Sequence, residues 1–103
     1  MADSIRAPPK FDGLNFPTWK VRMTVFFQSL GCWVAKAVTK PYSAPTGEED
    51  TWSNLASKEY EANSKAQNVL ILALNEDDMT RVIHCKSTYE IWQHLLVTHE
   101  GTS

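Results

Sequence analysis

An all-α fold, a compact bundle of four to five helices, follows from three features of the sequence. Trp19, Met23, Phe26, Phe27 and Leu30 fall at i, i+4, i+7, i+8 and i+11, one continuous stripe on a helical period. Trp52, Leu55, Ala56, Tyr60, Ala66, Val69, Leu70, Ala73 and Leu74 keep the same kind of spacing over about six turns. No segment carries the strict apolar–polar alternation of a half-buried strand.

Each element has its own local reasons. Residues 1–10 are expected to be a polar lead closed by Pro8-Pro9, extended and flexible. In Phe11-Asp12-Gly13-Leu14-Asn15-Phe16 a glycine turn separates two aromatics, which predicts that they fold back as a lid on the first helix. Pro17 suits the first turn of that helix, where a missing N–H costs nothing, and Gly31 is expected to end it as a left-handed cap. Cys32 to Val38, anchored by Trp33, reads as a short second helix, and the Pro- and Gly-bearing stretch Thr39 to Glu49 as a loop.

The long helix is expected to begin at the acids Glu48 to Asp50, which suit a positive helix N-terminus. Its end, Val69-Leu70-Ile71-Leu72, is apolar all round and so predicted to be buried centrally. Asn75 to Asp78 supplies cap oxygens for a short helix whose inward face is Met79, Val82 and Ile83. Ser87-Thr88-Tyr89-Glu90 is a capping box that opens a last helix packing Ile91, Trp92, Leu95 and Leu96 and stopped by Gly101. Trp19, Phe26, Leu70, Trp92 and Leu95 are predicted to be the shared core of the first, long and last helices. Residues 11–101 are expected to form one domain, with 102–103 as a tail.

Composition narrows the function. Hydrophobic residues at 43% and charged residues at 21% of the 103 positions are ordinary for a globular chain. The net charge of −2 leaves little surplus for neutralising phosphates, so direct nucleic-acid binding is not expected. Charge is uneven: residues 1–40 carry six bases and two acids, residues 41–103 four bases and ten acids. No apolar run approaches the roughly 18 residues of a membrane span. Cys32 and Cys85 follow no apolar leader segment and are expected to be small hydrophobes in a reducing, cytoplasmic setting.

Catalytic, metal and cofactor sites are not expected. Cys32, His84, Cys85, His94 and His99 contain neither Cys-x-x-Cys nor His-Glu-x-x-His, and adjacent His84 and Cys85 do not readily face one tetrahedral ion. Neither cysteine has a basic setting that would activate a thiol. The glycines stand singly at 13, 31, 47 and 101, so there is no phosphate-cradling loop. The tryptophans lie on or beside apolar stripes as core residues do, and no helix has the Arg/Lys cluster of a three-helix DNA reader.

Phe11-Asp12-Gly13-x-Asn15-Phe16-x-x-Trp19-Lys20-x-x-Met23 resembles the opening of the Gag polyprotein of copia-type LTR retrotransposons. That family typically reads Phe-x-Gly-x-Asn-Tyr-x-x-Trp, then a Gly-x-Trp like Gly31-Cys32-Trp33. Trp52, the run from Ala66 to Leu74, Arg81-Val82 and Ser87-Thr88-Tyr89-Glu90-Ile91-Trp92-x-x-Leu95 follow in the family's order, closing on Glu100-Gly101. Phe16 and His99 stand where the family usually has Tyr. The resemblance covers about nine tenths of the chain and implies a retroviral-like capsid N-terminal lobe that self-associates into a virus-like shell around the element's RNA. In the family, RNA capture belongs to a later Cys-x-x-Cys-x4-His-x4-Cys zinc knuckle, which this sequence does not contain. The implied partner is another copy of the chain. The alternative is a domesticated Gag-like lobe that binds a host protein or peptide.

One surface stands out. Val21 and Val25 lie roughly 120–200° from the centre of the first stripe, among Thr24 and Gln28 and flanked by Lys20 and Arg22. A solvated helix face would carry Lys or Glu there. Either the segment around Trp33 covers both valines within one molecule, or Lys20, Val21, Arg22, Thr24, Val25 and Gln28 form a contact between copies, whose acidic counterpart would be residues 48–50 or 76–78.

Overall fold

The structure, a computed structural model, describes residues 7–101. Most of the predicted lead, and the tail at 102–103, lie outside the described residues. Five α-helices follow one another: α1 (Phe16–Ser29), α2 (Cys32–Thr39), α3 (Asn54–Ala73), α4 (Glu76–Val82) and α5 (Thr88–Glu100). There is no strand among the described residues. The protein is all-α, as the periodicities predict.

Helix α2 packs most extensively on α3 and also touches α1 and α5, and α4 rests on α5. Trp92 of α5 joins α1 through ring contacts at 5.7 Å with both Trp19 and Phe27. Trp19, Leu70, Trp92 and Leu95 are buried as predicted. Phe26 is only partly buried and Phe27 takes its place in the core. The buried row of α1 is Phe16, Trp19, Met23 and Phe27, and Phe26 falls about 65° to one side of its centre at 100° per residue.

The N-terminal segment is built into this core. Phe11 is 2% exposed, its N–H donates to the Ala73 carbonyl at 2.8 Å, and its ring lies 5.0 Å from Trp19. The Trp19 indole donates to the Pro9 carbonyl at 2.8 Å, and the Lys10 ammonium to the Leu72 carbonyl at 3.2 Å. Engagement therefore starts two residues ahead of Phe11, inside the stretch read as a lead. Phe11 and Phe16 are both buried, in line with the expected lid.

Helix ends depart from expectation in instructive ways. Leu30, in right-handed helical geometry, closes α1, whereas Gly31 (φ 122°, ψ 157°) is not a left-handed cap but the residue that starts α2. The acids at 48–50 do not open α3: Glu49–Thr51 is a single 3-10 turn, and Ser53 caps α3 by accepting from Ala56 N–H. A neutral hydroxyl at the cap position satisfies an orphan N–H directly, which a nearby charge does not. Trp52 accordingly sits before the helix, its indole donating to the Thr46 carbonyl at 3.1 Å and its ring 5.0 Å from Tyr60. The end of α3 is not buried all round, because Leu72 is 56% exposed, and Ile83, expected inside, is 72% exposed. Asn75 caps α4, Gly101 is a left-handed cap on α5, and Ser87 caps α5. Glu90 completes that last cap one residue early, on the Lys86 N–H at 3.0 Å.

A buried polar pair ties α3 to α5. Asn63 Oδ1 accepts from the Thr88 N–H, and the Thr88 hydroxyl donates to the Asn63 carbonyl, both at 3.0 Å. Asn63→Ala strands the Thr88 N–H in the core, which costs roughly 1–3 kcal/mol. Urea denaturation of the variant checks this, and a stability equal to the parent's would contradict it.

Candidate assembly surface

The outer face of α1 is open. Val21 is 63% and Val25 58% exposed, directly opposite the buried row. Trp33 does not reach them: it sits on the α3 side of α2, with the Lys58 ammonium 5.7 Å and the Lys36 ammonium 4.8 Å from its ring. The intramolecular cover that the sequence left open is therefore not what the fold provides. Pro17, Lys20, Val21, Thr24, Val25 and Glu100 line one shallow depression.

The flanking residues have unequal roles. Lys20 pairs with Glu100 at 2.8 Å, both about one-third exposed, so its charge is partly answered within the chain. The Thr24 hydroxyl bonds back to the Lys20 carbonyl at 2.8 Å, while Arg22 and Gln28 are exposed.

Beside this face lies a cleft of about 500 Å³ between α1, α2 and α5, lined by Phe27, Val38, Ala35, Cys32, Lys36 and Trp92 with Thr24, Gln28 and Thr39 at its sides. Sequence reasoning missed it, because it forms only where three helices meet. Cys32, expected to act as a small hydrophobe, is exposed here. A sequence signal was nevertheless present: from residue 13 to residue 47 there is no Asp or Glu at all. The helices α1 and α2 thus give a surface bearing only Lys20, Arg22 and Lys36 as formal charges.

The carboxylates gather elsewhere. Glu49, Asp50 and Glu61 surround Trp52 and Tyr60. Asp12, Glu76, Asp77 and Asp78 line a second depression with Arg81 and His99. Asp78 is not free for a partner, since it is 3% exposed and bonds His99 Nε2 at 2.8 Å and Asn75 Nδ2 at 3.0 Å. His99 in turn stacks on Phe16 at 5.0 Å and meets Phe11 edge-on at 4.9 Å.

The candidate chemical groups are scattered. Among the described residues no group of three or more His, Cys, Asp and Glu is placed to hold a metal ion. Burial, with a smaller push from Glu90, raises the Cys85 thiol above its ordinary range, which disfavours the nucleophilic thiolate. Burial, then Glu59 and Tyr60, likewise raise the Tyr42 phenol. No described helix is long and apolar enough to cross a membrane. No family model matches the chain, and neither a curated protein nor a solved structure matches it.

Proposed function

We propose that this chain is a non-enzymatic structural lobe that self-associates, the capsid (Gag) N-terminal lobe of a copia-type retrotransposon, forming part of a virus-like shell in the cytoplasm. The observation that carries the reading is the exposed Val21–Val25 strip on a helix whose exposed surface has no carboxylate of its own. The ordered resemblance from Phe11 to Gly101 supports it. Scattered apolar residues are ordinary on a surface. Two β-branched residues one turn apart, beside an open apolar cleft, form a patch that an isolated solvated helix would not keep. RNA is held by another part of the family's Gag, and this lobe contributes protein–protein contacts. A second reading, favoured by the apolar cleft, is a domesticated lobe that receives a host peptide there.

Replacing Val21 and Val25 together with Lys tests the proposal. Both are exposed, so the thermal melt should move little, within the roughly ±0.5 kcal/mol of ordinary surface changes at each site. Self-association measured by sedimentation should weaken at least about tenfold. A variant that associates as the parent does would remove α1 from the contact.

A further inference from the structure

We infer that copies of this chain join head to tail, with Leu14 of one copy seated in the cleft between α1, α2 and α5 of the next. The inference rests on the self-assembly reading and names the two surfaces that meet.

Leu14 is 70% exposed, yet it sits on one of the more tightly specified turns of the molecule. Its N–H donates to Asp12 Oδ1 at 2.9 Å, Gly13 and Asn15 both have positive φ (95° and 54°), and the Asn15 carbonyl accepts from the Trp19 N–H at 3.1 Å. Asn15 is the one non-glycine residue with positive φ among those described, a conformation that persists where the surroundings impose it. Phe11 and Phe16, both buried, anchor the turn on either side. A leucine whose main chain is held in this way is pre-ordered for contact, because little backbone freedom remains to be lost on binding.

Charge matches the leucine to the cleft. Gly13 shares its depression with Asp12, Glu76 and Asp77, opposed there by Arg81, so the knob emerges beside a predominantly acidic surface. Among the described residues the cleft is lined by no carboxylate. Its floor is Phe27, Val38 and Trp92, and Lys36 lines its edge with the ammonium turned to the Trp33 ring, 4.8 Å away. An apolar knob rimmed with acid and an apolar socket free of carboxylates, with a lysine at its edge, are complementary in both respects.

Geometry makes the contact intermolecular. Leu14 precedes α1 and Phe27 lies in its last turn, a separation of about 20 Å at 1.5 Å per residue. No leucine side chain spans that distance, so a chain does not fill its own cleft. Seated one to one, a knob in the socket of the next copy is a heterologous contact, which propagates as a ring or an open row depending on the rotation between copies, whereas two copies that exchange knobs close as a dimer.

Two exposed positions test this, with folding checked by circular dichroism. Leu14→Asp removes the knob, and Cys32→Glu puts a carboxylate into the socket at the first turn of α2, where the helix dipole favours it. Sedimentation of each variant alone should show self-association weakened at least about tenfold relative to the parent. Mixed in equal amounts, they should form a one-to-one heterodimer that grows no further, since one variant retains the socket and the other the knob. Leu14→Ser and Thr39→Glu replace any variant that fails to fold. Parent-like association of both variants would overturn the knob and socket while leaving assembly intact, and would leave the cleft to a peptide or another occupant. Weakening of both without heterodimer on mixing, or a parent whose association stops at a dimer, would overturn the head-to-tail arrangement. A parent that stays monomeric at millimolar concentration would remove the assembly reading, and this inference with it.

Discussion

Trp19→Ala is expected to lower the stability of the domain by about 3–5 kcal/mol, the range for an aromatic truncated in a packed core. The indole is 4% exposed and lies 5.0 Å from Phe11, 5.6 Å from Phe16 and 5.7 Å from Trp92. Three elements, the N-terminal segment, α1 and α5, therefore lose a common neighbour at once. The variant also leaves the Pro9 carbonyl without its indole donor. For a domain of this size the melting midpoint should fall by something like 12–30 °C. Trp92→Ala should fall in the same energy range, because its ring touches both Trp19 and Phe27. A thermal melt within a degree or two of the parent for either variant would contradict the core assignment.

Deleting residues 1–15 should be almost as damaging. It removes Phe11, whose complete loss resembles a buried Phe truncation of about 3–5 kcal/mol, together with the Phe11 N–H bond to Ala73 and the Pro9 bond to Trp19. His99 would also lose the Phe11 ring that meets it. Deleting residues 1–8 keeps every one of these contacts and should leave the melt nearly unchanged. Two deletions with the same melting midpoint would mean that Phe11 is not part of the core.

What the sequence revealed, and what it hid, divides along physical lines. Periodicity over several turns is a collective property, so the helices and the buried Trp19, Leu70, Trp92 and Leu95 were all legible. Phe26 and Phe27 are adjacent aromatics on one helix edge, and only the position of α5 decides which of them Trp92 meets. The acids at 48–50 suit a helix dipole and so predict a helix start, yet Ser53, with its cap oxygen, determines where α3 begins. Val21 and Val25 could be assigned to the outer face from their angle, but whether another element lay over them was a question of tertiary packing. The pairing of His99 with Asp78 joins residues on different helices, α5 and α4, and nothing local announces it. The cleft was hidden for the same reason, although the long acid-free stretch that walls it was visible all along.

In the proposed assembly, copies of this chain meet through the outer face of α1 and the cleft beside it. Amide resonances of the uniformly labelled chain, followed by NMR on dilution from millimolar to micromolar concentration, test this without any substitution. Concentration-dependent shifts should be confined to two surfaces: Val21, Thr24, Val25 and the α2 residues Ala35 and Lys36 on one side, and Asp12 to Asn15 with Glu76 and Asp77 on the other. Shifts clustered instead on the outer side of α3, or none at any concentration, would contradict it.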